Sequence, residues 1–541
     1  METFAPDLAT MVRTPLTPDH VAAMRRVGTQ MHIKAGHWVQ RAGDRITEFH
    51  YLLGGELQAV NAANGKPYGA ATLGAGQFVG ELAFLTGGKA FMGSRAVQDT
   101  TLLCVPRQAM LKLMSDMPEM SDIIITVFAA RRRRMLDREE GGLTLIGGEV
   151  DRNVRRIASF AARNRIPFVE VEIDSSAGNE LASQCRIDRA HPAVVFAKHH
   201  VIDPPTPRNV AQTLGLDMAL TKEDVYDVAI VGGGPAGVAA GVYAGAEGLC
   251  AVVLEDLAIG GQAGTSSRIE NYMGFPTGIS GGDLVGRGEV QAMKFGTRFA
   301  VPVRARHLEQ CEKHLFHIQL DTDEWVSAKA LIVATGVQYR RLPLERLETL
   351  EGVGVYYAAT DVEARYCANT EVAIIGGGNS AGQAAMFLTR TAKHVHVLVR
   401  GEGLASSMSD YLLQRLESHP RITVHLCTSV AELHGDGSLS AITVRDRRGG
   451  QDWQINTKAL FVMVGAAPNT GWLSGLVDLD AGGFVKTGQE VGGRNAYETS
   501  RPGIFAVGDV RAGSVKRVAS AVGEGSVVMS AVWAHINDEG A

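Results

Sequence analysis

Closely spaced cysteines are absent from this chain of 541 residues. Its six cysteines are scattered at positions 104, 185, 250, 311, 367 and 427, so no two of them form a CxxC motif. This spacing excludes a redox-active CxxC pair and a zinc ribbon, and it suits a protein kept in a reducing cytosol. We therefore predict a cytoplasmic protein without a bound metal.

Long apolar runs and a strong charge of either sign are also absent. No run approaches the roughly 20 apolar residues that a membrane-spanning helix needs. The N-terminus, Met1 to Asp7, lacks the basic region and apolar core of a signal peptide. The formal net charge of −5 gives no reason to expect binding to nucleic acid or a membrane. The apolar content of 45% indicates a soluble globular chain, and the length predicts about three or four domains.

A run of four arginines, Arg131 to Arg134, forms a short basic segment. It stands in a helix-like stretch and is followed by Asp137, Glu139 and Glu140. This pattern predicts a solvated helix face rather than a localisation signal or a nucleic-acid site.

Two glycine-rich fingerprints stand in the C-terminal half. The first reads Gly232-Gly-Gly-Pro-Ala-Gly237 and the second Gly376-Gly-Gly-Asn-Ser-Ala381. Each follows a short strand of Val, Ile and Ala and opens a helix of small residues. Glycines in this context let a diphosphate approach the backbone at a helix N-terminus. Two such motifs in tandem predict a protein that holds two dinucleotides for hydride transfer.

Residues 30 to 110 contain short predicted strands separated by glycines, a pattern typical of a small antiparallel roll or barrel. The segments Ala35–Asp44, Phe49–Leu57 and Phe78–Leu85 resemble the cyclic-nucleotide-binding domain family. The resemblance covers about the first 137 residues and ends in a helix from Met114 to Arg138.

This resemblance implies that Gly80 and Glu81 belong to the phosphate cassette, with Glu81 contacting the ribose hydroxyl. The arginine that pairs with the cyclic phosphate in that family falls near Ala90 here, and Lys89 and Arg95 are out of register. Without a guanidinium in register, the cyclic phosphate loses its bidentate partner. We therefore predict a degenerate sensor or scaffold domain that binds cyclic nucleotides weakly or not at all.

Residues 141 to 217 alternate between predicted strands and helices. Strands at 143–147, 167–174 and 193–196 alternate with helices at 153–163, near 179–185 and after 207. His191-Pro192 and Gly215-Leu216 resemble a thioredoxin/glutaredoxin-type domain, in which a cis-proline precedes the third strand. Gly147 to Val150 stand where that family carries its catalytic cysteines, and we interpret Cys185 as a packed residue. The resemblance implies a redox-inactive adaptor.

From Tyr226 to the end, the chain resembles the thioredoxin-reductase family of pyridine-nucleotide flavoproteins. Besides the fingerprints, the resemblance rests on Ile259–Gln262, Ile269–Pro276, Ala334–Gly336 and Gly503–Val510, which match segments around the flavin. Together they predict an intact FAD site.

Glu255 closes the second strand about 20 residues past the first fingerprint, where a carboxylate holds a ribose 2′-hydroxyl. In the family Asp509 faces the FAD ribityl chain, and Arg517-Val-Ala519 stands where the family reads Arg-Gln-Ala. The FAD site predicted from the fingerprint and the resemblance consists of Gly232, Gly234, Pro235, Ala236, Gly237, Glu255, Gly261, Gln262, Asn271, Ala334, Gly336, Gly508, Asp509, Arg517, Val518 and Ala519.

The second fingerprint is inserted between the two FAD segments, which is the family's arrangement of an NAD(P)H domain. Its second strand, predicted from His394 to Val399, is followed by Arg400 rather than by an acid. A guanidinium binds the 2′-phosphate that a carboxylate would repel. NADPH is thus favoured, although Gly401 and Ala405 replace further arginines of the family and make the preference modest. The predicted NADPH site consists of Gly376, Gly378, Asn379, Ser380, Ala381 and Arg400.

Thioredoxin reductases place Cys-Ala-Thr-Cys just before the second fingerprint. This chain reads Ala358-Ala-Thr-Asp361 there, so both thiols are missing. A dithiol cannot relay electrons without an attacking thiolate. Thr360 and Asp361 are candidate catalytic residues, with Asp361 as a proton donor near the flavin or, equally, a turn or helix cap. Cys367 has either a lone redox role or a packing role.

We predict a multidomain fold: an N-terminal β-roll with helices, a small α/β thioredoxin-like domain, and two Rossmann-like α/β dinucleotide-binding domains. The predicted boundaries are 1–138 for the cyclic-nucleotide-binding-like domain, 141–218 for the thioredoxin-like domain, 224–345 with 466–541 for the FAD domain, and 346–465 for the NAD(P)H domain.

The predicted function is hydride transfer from NADPH to FAD and on to an acceptor not relayed by a CxxC dithiol, with regulation through the N-terminal domains. The acceptor is a small molecule or a protein, and we expect a homodimer. One alternative is a ferredoxin or flavodoxin reductase, which often carries a C-terminal extension that is not expected after the helix predicted at 525–536. The other is a flavin-based redox or nucleotide sensor that acts through a protein partner.

Overall fold

The computed structural model describes most of the chain. The described residues are 15–61, 66–67, 72–137, 142–147, 151–188, 192–196, 200–214, 216, 220, 222–266, 269, 271–311, 315–339, 342–357, 359, 361–405, 408–473 and 475–538.

The glycine-punctuated strands near the N-terminus form an antiparallel roll, as predicted. The strands are β1 (Thr29–Ile33), β2 (Trp38–Gln40), β3 (Glu48–Gly54), β4 (Glu56–Asn61), β5 (Leu73–Gly74), β6 (Phe78–Val79), β7 (Met92–Ala96) and β8 (Thr100–Pro106). They pair in the orders β1-β8-β3-β6 and β2-β7-β4-β5. The helices are α1 (Pro18–Val27), α2 (Ala83–Thr86), α3 (Arg107–Asp116) and α4 (Pro118–Asp137). Phe128 of α4 packs against Phe49, Phe78 and Phe84, so α4 closes the roll.

The predicted helix from Met114 to Arg138 is wrong in one respect, because α3 and α4 are separate helices. Met117 between them has φ −129° and ψ 84°. Pro118 has no N–H to continue the helical hydrogen bonds, and it disfavours the helical conformation of the residue before it. The break lets α4 turn toward the roll.

The prediction of a solvated face for Arg131 to Arg134 is wrong for the first two arginines. Arg131 donates hydrogen bonds to the carbonyl oxygens of Gly80 at 2.7 Å and Phe78 at 2.8 Å. Arg132 forms an ion pair of 2.8 Å with Glu81. Sequence separations of about fifty residues hide such partners from a local charge pattern, whereas Arg134 is exposed as predicted.

The middle segment forms a mixed sheet covered by helices. Its elements are β9 (Leu143–Ile146), α5 (Arg152–Arg163), β10 (Phe168–Val171), α6 (Ser176–Cys185), β11 (Ala193–Phe196), β12 (His200–Val201) and α7 (Pro207–Leu214), with strand order β10-β9-β11-β12. Asp151 caps α5 by accepting the N–H groups of Asn153 and Val154. The predicted second strand ends at Val171 instead of 174. His191, Gly215 and residues 148–150 lie outside the described residues, so the thioredoxin-like assignment stays a prediction.

The first fingerprint joins a strand and a helix of a parallel sheet. The elements are β13 (Val225–Val231), α8 (Pro235–Ala246), β14 (Ala251–Leu254), α9 (Gly281–Lys294), β15 (Arg298–Ala300), β16 (Ala305–Gln310), β17 (Phe316–Leu320), β18 (Trp325–Val333) and β19 (Val337–Tyr339). The strand order is β15-β14-β13-β18-β17-β16, and β13 is parallel to both β14 and β18.

A second parallel sheet follows in the chain. Its segment contains α10 (Leu347–Leu350), β20 (Val355–Tyr356), α11 (Asp361–Tyr366), β21 (Glu371–Ile375), α12 (Asn379–Leu388), β22 (His394–Val399), α13 (Asp410–Glu417), β23 (Ile422–Leu426), β24 (Thr428–His434), β25 (Ala441–Asp446), β26 (Asp452–Ile455) and β27 (Ala459–Val462). Strands β20-β27-β21-β22-β23 pair in that order, and β24-β25-β26 form an antiparallel layer.

The chain then returns to the first sheet. β28 (Ala466–Pro468) pairs with β19, β29 (Ile504–Ala506) pairs with β18, and α14 (Val518–Asp538) packs on α8. The predicted start of α14 at Gly525 is wrong, because the helix begins at Val518. A side chain at Gly525 would clash with the Ala236 carbonyl oxygen, so this glycine permits close helix packing. Among the described residues, none of the helices is long and apolar enough to cross a bilayer.

Candidate functional site

A cavity of about 490 Å³ opens at the carboxyl ends of β13 and β18. Gly232 and Gly234 of the first fingerprint line it together with Ala334 and Gly336, which follow β18. In an open parallel sheet, ligands bind at this edge, where the loops leave the strands. The fold therefore places the predicted FAD motifs around one cleft.

The three glycines of the first fingerprint are needed for different physical reasons. Gly232 has φ +111°, and a side chain there would clash with the Ala334 carbonyl oxygen. A side chain at Gly237 would clash with the carbonyl oxygen of Gly232 itself. A Cβ atom at Gly234 would meet no atom within 4 Å. The first and third glycines thus shape the turn, whereas the second leaves space for a ligand.

The N-terminus of α8 fits an anionic group. Gly234 is the N-cap, Pro235 begins the helix, and no side chain caps its first N–H groups. Such free N–H groups together with the helix dipole favour a phosphate. An FAD diphosphate therefore has a backbone cradle with an unobstructed approach.

Glu255 holds the loop beside this cradle. Its carboxylate accepts the N–H groups of Gly233 at 2.7 Å, Leu257 at 3.0 Å and Ala258 at 3.3 Å. Burial raises the pKa of Glu255 to about 7, and the neighbouring Asp256 adds to the increase. Glu255 lines the cavity, and its contact with a ribose hydroxyl stays a prediction.

Most of the residues predicted for FAD line the same cavity. They are Gly232, Gly234, Pro235, Ala236, Glu255, Gly261, Gln262, Ala334, Gly336, Gly508, Asp509, Arg517 and Val518. The described residues Gly237, Asn271 and Ala519 do not form part of this lining. Burial raises the pKa of Asp509, and Lys516 donates a hydrogen bond to its backbone carbonyl.

Sequence reasoning missed several lining residues. Thr335 and Lys516 are direct neighbours of predicted residues, so the motifs already signalled them. Arg304 lines the cavity while paired with Asp256 at 2.8 Å. Arg163 comes from α5 of the middle segment, where no motif marked it.

The second fingerprint helix reaches the same cavity. Ser380 in the first turn of α12 lines the cavity together with Gln383 and Ala384. Gly378 is the N-cap of α12, and no side chain caps the helix. Both dinucleotide-binding helices therefore face one cleft.

The other residues predicted for NADPH lie around this helix. Gly376 has φ +149°, and Ala381 is fully buried. Asn379 accepts the backbone N–H of Ser409 at 2.8 Å, which ties the start of α13 to the fingerprint. Arg400 follows β22 and is exposed. Ser406 and Ser407, which follow Ala405, lie outside the described residues.

The segment that replaces the dithiol borders the cavity. Ala359 lines it, and Asp361 is the first residue of α11. Ala358 and Thr360 lie outside the described residues, so the catalytic roles of Thr360 and Asp361 stay predictions. The Cys367 thiol is buried and donates to the Glu363 carbonyl oxygen at 3.1 Å. Burial raises the pKa of Cys367 to about 12, which suits packing rather than redox chemistry.

The phosphate-cassette residues of the β-roll are engaged within the chain. The Glu81 carboxylate pairs with Arg132 and accepts the Phe91 N–H at 3.2 Å. Ala90 is buried, and the Arg95 guanidinium lies over the Trp38 ring at 5.7 Å. Ala90, the position that the resemblance assigns to the phosphate arginine, is therefore buried beside a cassette whose carboxylate is already paired.

Two family models match the chain. The one described as "Pyridine nucleotide-disulphide oxidoreductase" matches residues 226–525. The one described as "Cyclic nucleotide-binding domain" matches residues 30–117. The first match includes both fingerprints, and the second includes most of the β-roll. Both resemblances are confirmed.

The most similar relatives include thioredoxin reductases. That of Mycolicibacterium smegmatis is 33% identical over 306 residues, covering 56% of this chain and 94% of that protein. The NADPH-dependent thioredoxin reductase 3 of Arabidopsis thaliana is 33% identical, covering 56% of this chain and 57% of that protein. The solved structure of Lactococcus lactis thioredoxin reductase in its FR conformation has a TM-score of 0.53 and 28% identity, covering 58% of this chain and 99% of that chain.

Proposed function

The chain belongs to the pyridine nucleotide-disulphide oxidoreductase family, and on that premise we propose that it passes hydride from NADPH through FAD to an acceptor without a CxxC relay. It is an FAD-dependent NAD(P)H oxidoreductase, and its thioredoxin reductase homologues use FAD and NADPH. The observation that carries the proposal is the meeting of both fingerprint helices at one cavity. FAD supplies the electron-transfer chemistry when bound, and the chain supplies binding and orientation.

The residues around the cavity support a division of roles. Gly234 and the N-terminus of α8 would hold the FAD diphosphate. Ser380 of α12, which lines the same cavity, would orient NADPH toward the flavin. Asp361 would donate a proton near the flavin, and the competing role is a helix cap at the start of α11.

NADPH should reduce the flavin faster than NADH does. The substitution Arg400→Ala should bring the two reduction rates closer together. A charge-assisted phosphate contact contributes about 1.5–3 kcal/mol, which corresponds to roughly 10- to 150-fold in selectivity. Anaerobic stopped-flow measurement of flavin bleaching with each nucleotide gives the ratio. Arg390→Ala, at the opposite end of the fingerprint helix, is the matched control and should leave the ratio unchanged. Equal rates of flavin reduction by NADPH and NADH in the wild type would refute the assignment of Arg400 to the 2′-phosphate.

The acceptor distinguishes the reductase from the alternatives. After anaerobic reduction by NADPH, the protein is mixed with disulfides, quinones, ferredoxin, flavodoxin and oxygen. Fast reoxidation by a single class would identify the acceptor, and ferredoxin or flavodoxin as that class would favour the corresponding reductase. Slow reoxidation by all of them would favour a sensor whose flavin state is read by a protein partner.

We also propose that the middle segment is a thioredoxin-like adaptor without catalytic cysteines. Its support is the set of contacts with both dinucleotide-binding parts. Asn164 donates to the Leu257 carbonyl oxygen at 3.0 Å. Tyr366 donates to Glu170 at 3.1 Å, and the Arg155 guanidinium lies 4.7 Å from the centre of its ring. Disulfide reduction by the full chain that is lost in Cys185→Ala would contradict an adaptor role without redox chemistry.

The N-terminal domain is proposed to regulate the flavoprotein part. Arg132 links the cassette residue Glu81 to the carbonyl oxygen of Arg165, at 3.5 Å, beside the middle segment's contact with the flavin part. A ligand that engaged Glu81 would compete with this ion pair. Occupancy of the roll would thus change the flavin site through the Glu81–Arg132 ion pair.

Cyclic AMP and cyclic GMP should bind weakly or not at all. The cyclic phosphate would meet Ala90 instead of a guanidinium, and Glu81 is already paired with Arg132. Isothermal titration calorimetry of the full chain should give no dissociation constant below about 0.1 mM. The favourable free energy of binding would then be less than about 5.5 kcal/mol. Micromolar binding would overturn the prediction and would point to Lys89 or Arg95 as the phosphate ligand.

A further inference from the structure

One arginine in the flavin cavity comes from outside the flavoprotein fold. Arg163 is the last residue of α5, and its side chain lines the cavity with Gly234 and Gly261. The family match begins at residue 226, so this guanidinium belongs to an added part of the chain. Its position therefore suggests a cofactor contact that the flavoprotein fold does not provide by itself.

The two residues after Arg163 attach the end of α5 to the region around the flavin cavity, within residues 226–525. The Asn164 side-chain amide donates to the Leu257 carbonyl oxygen at 3.0 Å. Arg165 donates to the Gly282 carbonyl oxygen at 3.1 Å and forms an ion pair with Glu289. With its neighbours anchored in this way, the Arg163 side chain is held over the cavity rather than directed to bulk solvent.

The cavity wall beside Arg163 is the diphosphate cradle. Arg163 approaches the Gly261 carbonyl oxygen at 3.5 Å. A Cβ atom on Gly261 would lie only 3.2 Å from the Cα atom of Gly234, and the Gly260 N–H donates to the Gly233 carbonyl oxygen at 2.7 Å. The loop that Arg163 touches therefore packs directly on the N-terminus of α8, where an anion would bind.

Two other cations that line the cavity, Arg304 and Lys516, are already engaged by the protein. Arg304 pairs with Asp256 at 2.8 Å, and Lys516 donates to the Asp509 carbonyl oxygen. Arg163 carries five N–H donors, and its long contact with Gly261 engages one nitrogen. The remaining N–H donors of this guanidinium suit bidentate binding of phosphate oxygens.

We propose that Arg163 is an FAD-binding residue and that its guanidinium contacts the diphosphate. The proposal rests on FAD occupying the cavity, as the proposed function requires. It gives the middle segment a direct part in holding the cofactor. Flavin retention then depends on the docking of α5 as well as on the fingerprint glycines.

The test is FAD binding to the full-length apoprotein, followed by quenching of flavin fluorescence. We expect Arg163→Ala to weaken FAD binding about 10-fold or more. Arg163→Lys should weaken FAD binding less, because lysine keeps the positive charge but lacks the paired N–H donors of the planar guanidinium. Arg156→Ala is the matched control, since Arg156 is an exposed arginine on the same helix that does not line the cavity. Its affinity should equal that of the wild type.

ADP and adenosine separate a phosphate contact from a general loosening of the site. Competition by ADP should weaken in Arg163→Ala, whereas competition by adenosine should not change. Unchanged FAD affinity, or equal losses for ADP and adenosine, would overturn the proposal and leave Arg163 a structural tether. A wild-type protein that binds no FAD would instead overturn the proposed function. Equal melting temperatures of the apoproteins would show that all variants fold.

Discussion

Gly234→Val is expected to produce a folded, colourless protein, whereas the wild type should purify yellow with about one FAD per chain. Gly234 has φ −71° and ψ −178°, which valine adopts without strain. A Cβ atom there meets nothing within 4 Å, so a side chain at this position begins in open space and extends into the approach to the diphosphate cradle. We expect FAD affinity to fall by about two orders of magnitude or more, at least about 2.7 kcal/mol.

The measurements are the visible absorption spectrum, the FAD released on denaturation and the melting temperature of the apoprotein. Gly237→Ala is the informative contrast, because its methyl group would clash with the Gly232 carbonyl oxygen. That variant should lose flavin together with stability, whereas Gly234→Val should lose flavin alone. A Gly234→Val protein that keeps one FAD per chain would contradict the assignment of this helix end.

The fingerprints show which parts of the fold local sequence determines. A strand of small β-branched residues, a glycine at positive φ and an uncapped helix lie within about a dozen residues, so Gly232 to Gly237 could be placed correctly from sequence. The same holds for β22, which ends at Val399 as predicted. Local sequence does not determine a helix boundary where glycine serves packing, as Gly525 does in α14.

Contacts between distant segments could not be predicted in this way. Glu81 and Arg132 are separated by 51 residues, and Arg163 and Gly261 by 98. No periodicity or spacing connects such pairs, because each depends on how whole domains dock. Ser380 was placed correctly in a fingerprint, yet only the arrangement of the two sheets brings it to the flavin cavity. The sequence therefore indicates which cofactors the chain binds, but it does not indicate which residues from distant segments line the cavity.

Thioredoxin should not be reduced at the expense of NADPH by the wild-type protein. Ala358 and Asp361 hold the positions of the two cysteines in the thioredoxin reductase motif. Without a thiolate at either position, no mixed disulfide with thioredoxin can form there. Cys367 does not replace them, because its thiol is buried and burial raises its pKa to about 12. NADPH oxidation followed at 340 nm should stay at background when thioredoxin is added.

The double variant Ala358→Cys with Asp361→Cys should recreate Cys-Ala-Thr-Cys beside the existing flavin site. A thiolate–flavin charge-transfer band after two-electron reduction is the first expected sign. Thioredoxin turnover should recover only in part, because α11 lies against the middle segment, where Tyr366 contacts Arg155 and Glu170. An external thioredoxin would have to reach a segment that this docking partly covers.

Cys367→Ala separates the remaining explanations for the wild-type protein. If the buried thiol only packs, flavin reduction by NADPH should be unchanged, and stability should fall by about 1 kcal/mol or less, since the change removes one small buried group. Thioredoxin turnover by the wild type that disappears in Cys367→Ala would assign the relay to this cysteine. Turnover that survives the substitution would mean that the alignment of residues 357–361 with the dithiol motif is wrong, because no other described cysteine follows α11 before the fingerprint.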